Sequence, residues 1–291
     1  MATTATGIEA AARRRPARFA EFARRNPTML AGLVIIAAMA AVAIASPLIA
    51  PHPLAINPID RLKPPSAAHP FGTDMLGRDI FARTVHGGRI SLLVGFSVAA
   101  LTTVFGTAIG LVAGYLRRLD AFVMRVMDGL MAVPGILLAI AFMAIASASV
   151  MNVVVAIAIA EVPRMVRLVR SVVLTIREQP YIEAAVSIGT RTPKLILRHI
   201  LPNTIAPMTV QATYVCASAM ITEAILSFLG AGTPPEIPSW GNIMAEGREF
   251  FELTPWIILF PGLFLAATVL AVNLVGDGLR DTLDPRIARR M

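Results

Sequence analysis

The sequence predicts an all-α polytopic membrane protein with six transmembrane helices and both termini on the cytoplasmic side. Three observations carry this reading. Of the 291 residues, 56% are hydrophobic and only 15% are charged, whereas a soluble domain carries about 25% charged residues. Several apolar runs approach or exceed the roughly 20 residues that a helix needs to cross a bilayer. With six spans, 20 of the 26 basic residues fall on one side, which the positive-inside rule makes the cytoplasm.

The elements follow in order. Residues 1–27 form a basic tail with Arg13, Arg14, Arg15, Arg18, Arg24 and Arg25. The apolar run 28–50 is too long for the core of a signal peptide and reads as the first span. A proline- and glycine-rich extracytoplasmic loop continues to residue 88. The second span, 90–116, holds Gly106, Gly110 and Gly114, a spacing that lets another helix approach closely. The third, 121–146, contains Pro134; the fourth, 150–169, contains Glu161 and Pro163; the fifth, 204–229, contains Pro207. The sixth is 255–275. Pro134, Pro163 and Pro207 mark places where helices can kink. The main transmembrane core is 89–280, with a cytoplasmic loop at 176–203 and a short C-terminal tail at 281–291.

That loop is the most informative stretch. Pro180 suits a first helical turn, and Glu183 then sits where the helix dipole favours a carboxylate. Gly189 can take a positive φ and end the helix. Thr192-Pro193 reads as the start of a second short helix carrying Leu195, Ile196, Leu197, Ile200 and Leu201, which Pro202 stops. Arg191, Lys194, Arg198 and His199 remain available to a soluble partner.

The intramembrane carboxylates are functional candidates, because a charge at that depth needs a partner or a water-filled path. Asp128 has Arg125 one turn earlier, and Glu161 has Arg164 three residues on. Glu223 is the foremost gate or path-lining candidate, with Glu161, Gln211 and Asn152 behind it. Phe71-Gly72-Thr73-Asp74 and Leu76-Gly77-Arg78-Asp79 read as two tight turns whose carboxylates cap backbone or pair with Arg78. Trp240 is placed as an anchor near the outer interface.

Several function classes are disfavoured. The net charge of +8 lies in short segments flanking apolar runs, which does not describe a nucleic-acid surface. Cys216 is the single cysteine, so it serves neither an internal disulfide nor a cysteine-based metal site. There is no GxxxxGK[ST], no HExxH and no nucleophile elbow. The chain is therefore expected to hydrolyse no ATP, to perform no covalent chemistry and to bind no cofactor or metal itself.

The loop, with Glu183-Ala184-Ala185, Gly189 and Ile200-Leu201-Pro202, resembles the EAA loop of permease subunits of bacterial ABC importers. It lacks the residue that the pattern places between Ile and Leu, and Thr190 stands where a small Ala is usual. The stretches HPFGTDMLGRDIFARTVHGGRISLLVG at 69–95, RVMDGLMAVPGILLAI from Arg125, EAILSFLGAGTPPEIPSWGNIMAEGR at 223–248 and NLVGDGLRDTLDPR at 273–286 extend the resemblance. Together they are similar to the C-type permease of dipeptide and oligopeptide importers, the DppC/OppC group.

The resemblance implies a type I ABC importer permease fold in the bacterial cell membrane. It implies a heterodimer with a homologous DppB/OppB-like permease, and one or two ATPase subunits that bind ATP and Mg2+. A periplasmic or lipid-anchored binding protein would supply the cargo. The ATPase would be contacted through Glu183, Ala184, Ala185, Gly189, Arg191 and Lys194. Nickel and glutathione importers have permeases of the same group, so the same machinery with another small cargo is the alternative. An ion-coupled secondary transporter is the rival class, and no inverted repeat supports it.

Overall fold

The computed structural model describes residues 26–283, and nearly all of them outside the loops are helical. Most of the basic tail 1–27, and the end of the tail 281–291, lie outside the described residues. Among the described residues ten helices follow in order: α1 Pro27–Ile49, α2 Ile80–Tyr115, α3 Arg117–Ala132, α4 Gly135–Ile145, α5 Val150–Arg177, α6 Pro180–Ser187, α7 Thr192–Leu195, α8 Leu201–Phe228, α9 Trp240–Gly247 and α10 Trp256–Leu283. Single 3-10 turns occur at Pro58–Asp60 and Arg248–Phe250.

Four helical stretches among the described residues are long and apolar enough to cross a membrane: 27–49, 80–115, 192–228 and 256–283. The pair α3–α4 makes a fifth if taken as one broken span, bent by 88°. Helix α5 has the length, at 28 residues. Every membrane-length stretch of it, however, includes Glu161, Arg164 and Arg167 or more. Its charge, not its length, separates the observed four or five from the expected six.

Other boundaries also differ. Helix α2 starts ten residues before the expected span, because Asp79 caps it by accepting a hydrogen bond from the Ala82 amide at 3.0 Å. At ~1.5 Å per residue its 36 residues run to about 54 Å, well beyond a hydrocarbon core of ~30 Å. Pro134 does more than kink its span: it separates α3 from α4. Pro163 and Pro207 lie inside continuous helices. Pro202 does not stop the second loop helix. The chain passes through a π turn at Ile196–Ile200, where Leu201 donates to the Ile196 carbonyl, and runs on into α8. The wider turn lets the chain pass a proline that has no amide to donate.

The central contact is between α2 and α5. Gly106, Gly110 and Gly114 face Met165, Val169 and Val173. A Cβ on each glycine would lie 2.5, 2.7 and 2.7 Å from the opposing Cβ, closer than atoms can approach. Both series advance by four residues together, so the helices run parallel with their backbones in close approach. Helix α8 packs beside α2, and α10 packs against α8 and α1.

This contact makes a direct prediction. Gly110→Leu is expected to cost about 1–3 kcal/mol through overpacking, read as a lower unfolding midpoint of the purified protein in detergent. Gly129→Ala, at a position where a Cβ meets nothing within 4 Å, should leave the midpoint unchanged or slightly raised.

Candidate coupling surface and buried outer clamp

At one end of the bundle the loop 178–200 is seated on the ends of α2 and α5. Ile182 and Ala185 of α6, with Leu195 and Ile200 after it, join Leu111, Met165, Val169, Val173 and Ile176 in one buried apolar cluster. Ile182, Leu195 and Ile200 have essentially no exposure, and each fully buried side chain of this size contributes about 1.5–3 kcal/mol. Gly189, at φ +79°, ends α6 as expected. Its amide bonds the Val186 carbonyl at 2.9 Å, and the Thr190 amide bonds the Ala185 carbonyl at 3.0 Å, the pair of bonds that closes a helix through a left-handed glycine.

The opposite face of the loop is open. Glu183, Ala184, Gly189, Arg191 and Lys194 are exposed, whereas Ala185 faces inward. The Glu183 carboxylate makes no ion pair among the described residues. Ile188 is 83% and Leu197 63% exposed, with Tyr181 and Val186 about half exposed. A recess of about 610 Å³ adjoins this face, lined by Tyr115, Arg117, Arg177, Ile182, Glu183, Val186 and Ser187. Large apolar side chains among charged ones, on a firmly seated loop, mark this face as a candidate docking surface.

At the other end, α9 is clamped at both of its termini. Arg83 is fully buried, and Asp74 nearly so. Arg83 donates to Asp74 at 2.7 Å and to Glu246 at 2.9 Å. Arg78 donates to the same two carboxylates at 2.6 and 2.5 Å. Two guanidinium groups and two carboxylates therefore neutralise one another in the interior. The expected turns at 71–79 supply this cluster. Gly72 and Gly77 have φ of +76° and +73°, and Asp74 Oδ1 accepts from the Leu76 and Arg78 amides. Arg83 and Glu246 belong to the same site, which sequence reasoning missed because 163 residues separate them. Nearby, the Lys63 ammonium bonded to Asp60 holds that carboxyl below the ordinary range, and His69 adds to the effect.

Glu223 has no exposure and lies at the other terminus of α9. It accepts from Ser239 Oγ at 2.8 Å, Ser227 Oγ at 2.9 Å and Ser91 Oγ at 3.4 Å. Ser239 also caps α9, accepting from the Asn242 amide at 3.1 Å. Trp240 is buried, and its Nε1 donates to the Thr84 carbonyl at 2.9 Å. It therefore pins α9 to α2, and its burial corrects the expectation of an interfacial anchor.

The remaining candidates are dispersed. Glu161, nearly buried, pairs with Arg164 at 3.2 Å and accepts from Ser218 of α8 at 3.3 Å. Asn152 donates to the Ser147 carbonyl at 2.7 Å and so braces the turn before α5. Gln211 is half-buried along α8. Asp128 does not pair with Arg125; its partner is Arg167 of α5 at 2.6 Å. Asp120 likewise binds Arg170 of α5 at 2.6 Å.

Fold and sites together define a polytopic helical membrane protein with an exposed apolar and charged loop face at one end and a buried polar cluster at the other. The chain belongs to the family described as the binding-protein-dependent transport system inner membrane component, matched over residues 106–289. Residues 22–65 match the N-terminal transmembrane domain of oligopeptide transport permease C. The chain is 52% identical to a probable peptide ABC transporter permease protein, y4tQ, of Sinorhizobium fredii, over 92% of each chain. It is 45% identical to the dipeptide transport system permease protein DppC of Alkalihalophilus pseudofirmus, covering 91% of this chain and 88% of that one. Its fold is similar to that of a chain in inward-facing structures of the MetNI methionine ABC transporter. The TM-score is 0.51 at 18% identity, over 67% of this chain and 94% of that one.

The clamp yields its own prediction. Arg83→Leu should destabilise the protein by about 3 kcal/mol or more, because it strands buried carboxylate charge. A thermal unfolding midpoint measures this, and Lys63→Ala, at the exposed Asp60 pair, should give no resolvable change.

Proposed function

We propose that this chain is one permease subunit of an ATP-driven importer, forming half of the path that takes dipeptides or oligopeptides into a bacterial cell. The observation that carries the reading is the loop 178–200, with its inner face locked onto α2 and α5 and its outer face offering apolar and charged groups. Peptide cargo is supported by relatives that are peptide, dipeptide and oligopeptide permeases by name; a relative named as a glutathione permease, 45% identical over 78% of this chain, keeps the alternative cargo open.

On this reading a homologous permease subunit completes the path. One or two ATPase subunits bind ATP and Mg2+ and close beneath the loop. A binding protein delivers cargo at the opposite end. Glu183, Ala184, Gly189, Arg191 and Lys194 meet the ATPase, and Ala185 passes the contact inward. Helix α5, the fourth in order, completes the six spans, with its charges facing water, and both termini are cytoplasmic; the 20-to-six asymmetry of basic residues supports that orientation. The core is then 89–280, between the first span with its loop and the C-terminal tail. Glu161 lies along the path, with Asn152 and Gln211 toward its ends. Glu223 gates indirectly, by fixing α9 to α2 and α8. ATP-driven closure of the ATPase pair displaces the loop, and the bundle exchanges between two arrangements that its partners bias.

Proteoliposomes holding this chain, its partner permease and the ATPase, with binding protein outside, test the proposal. Labelled dipeptides and longer peptides should enter only with ATP. Glu183→Arg should lower both ATPase association and uptake by about tenfold, the loss expected when roughly 1.4 kcal/mol of docking energy is removed. Uptake of chelated nickel or glutathione without peptide would replace the cargo class. Full uptake by Glu183→Arg together with Gly189→Pro would remove the loop from the coupling role.

A further inference from the structure

We propose that the break between α3 and α4, with the charged row of α5 beside it, lines the water-filled part of the translocation path. This rests on the permease reading above and assigns a specific wall to it. Two independent observations meet at one level of the bundle.

The first is backbone. Ala132, Val133, Pro134 and Gly135 are all exposed. Among the described residues no hydrogen bond reaches the carbonyls of Leu130, Met131, Ala132 or Val133 from across the break. Pro134 has no amide to offer, and the 88° bend turns α3 away from the axis of α4. Helix α4 has 11 residues, about 17 Å at ~1.5 Å per residue, roughly half of a ~30 Å hydrocarbon core. With α4 running inward from one face of the bilayer along its normal, the break falls near mid-depth. Unpaired carbonyls at that depth are tolerated only against protein or in a water-filled cavity.

The second is charge. A Cβ on Gly135 would sit 3.4 Å from Ala160 Cβ, so the break lies level with Glu161. From there Glu161, Arg164, Arg167 and Arg170 follow at intervals of three along α5. The side chains of Arg164 and Arg167 are 47% and 45% exposed, and that of Asp128, one turn before the break, is 58% exposed. Arg164 and Arg167 lie four and seven residues past Ala160 toward the loop end, about 6 and 10 Å along the helix, and half-exposed charged groups over this stretch need water, not lipid. Free carbonyls on one wall suit the ammonium of a peptide, and the ion-paired row on the next wall keeps that side hydrated.

The test is thiol labelling of the assembled complex in nanodiscs, on a Cys216→Ala background, with a charged, membrane-impermeant methanethiosulfonate. Val133→Cys and Gly135→Cys are compared with Ile44→Cys on the exposed apolar face of α1. Because a thiolate forms only where water reaches the sulfur, at least one break position should react about tenfold faster than Ile44→Cys. Two positions provide for one variant failing to assemble. If both react no faster than Ile44→Cys while the native complex imports peptide, the path placement is overturned and the permease reading stands. Fast labelling without any import would support the aqueous wall and remove the permease reading.

Discussion

Everything at the loop end depends on how closely α2 and α5 approach. Three glycines at four-residue spacing leave no α2 side chain between the helices, and Met165, Val169 and Val173 of α5 fill the space. The same valines continue into the apolar cluster that seats Ile182, Ala185, Leu195 and Ile200. A bulkier seam would separate the helices and unseat the loop together. Side chains in a close-packed interior transmit displacement rather than absorb it. The loop is therefore packed as an extension of the α2–α5 pair.

The far end is built on opposite chemistry. There α9 is held by a buried four-charge cluster at one terminus and by Glu223 with its ring of hydroxyls at the other. Such groups are directional: each needs its partner in place, and an orphaned one is costly. Helix α2 joins both ends, since Arg83 and Ser91 lie in its first turns and Gly106 to Gly114 in its last. One helix of 36 residues thus connects the docking loop with the clamp, and a tilt of that helix is felt at both.

What was legible in the sequence was largely local. The left-handed turn at Gly189, the turns at Gly72 and Gly77, and the glycine spacing of α2 each depend on a residue's own conformational freedom or size. Apolar runs located α1 and α8 to within a few residues and the start of α10 to within one, whereas α10 runs eight residues past the expected end into polar sequence. The rest depended on distant partners. Asp128 could be matched only to its helical neighbour Arg125, whereas the fold brings Arg167 to it. Glu246 carried no mark of its pairing with Arg83. The start of α2 lies in polar sequence that hydropathy does not register, and the span expected at 150–169 runs on to Arg177 through charged sequence. Pro134 signalled a kink but not its size, because the bend is set by how α4 packs on α5 and where the ion pairs hold α3. Glu223 was legible as an unusual carboxylate, but its enclosure by serines from three segments was not.

The measurement that tests the central claim most directly is a spin-label distance within this chain, between Ser187 on α6 and Arg118 beside the end of α2. It is made in the assembled complex without nucleotide and again with ATP trapped. The account predicts an unchanged distance, while the distance from Ser187 to the partner subunit's loop shifts, because loop and helix pair move as one body. A change in the Ser187–Arg118 distance between the two states would contradict it, showing that the loop moves independently of the helices on which it sits.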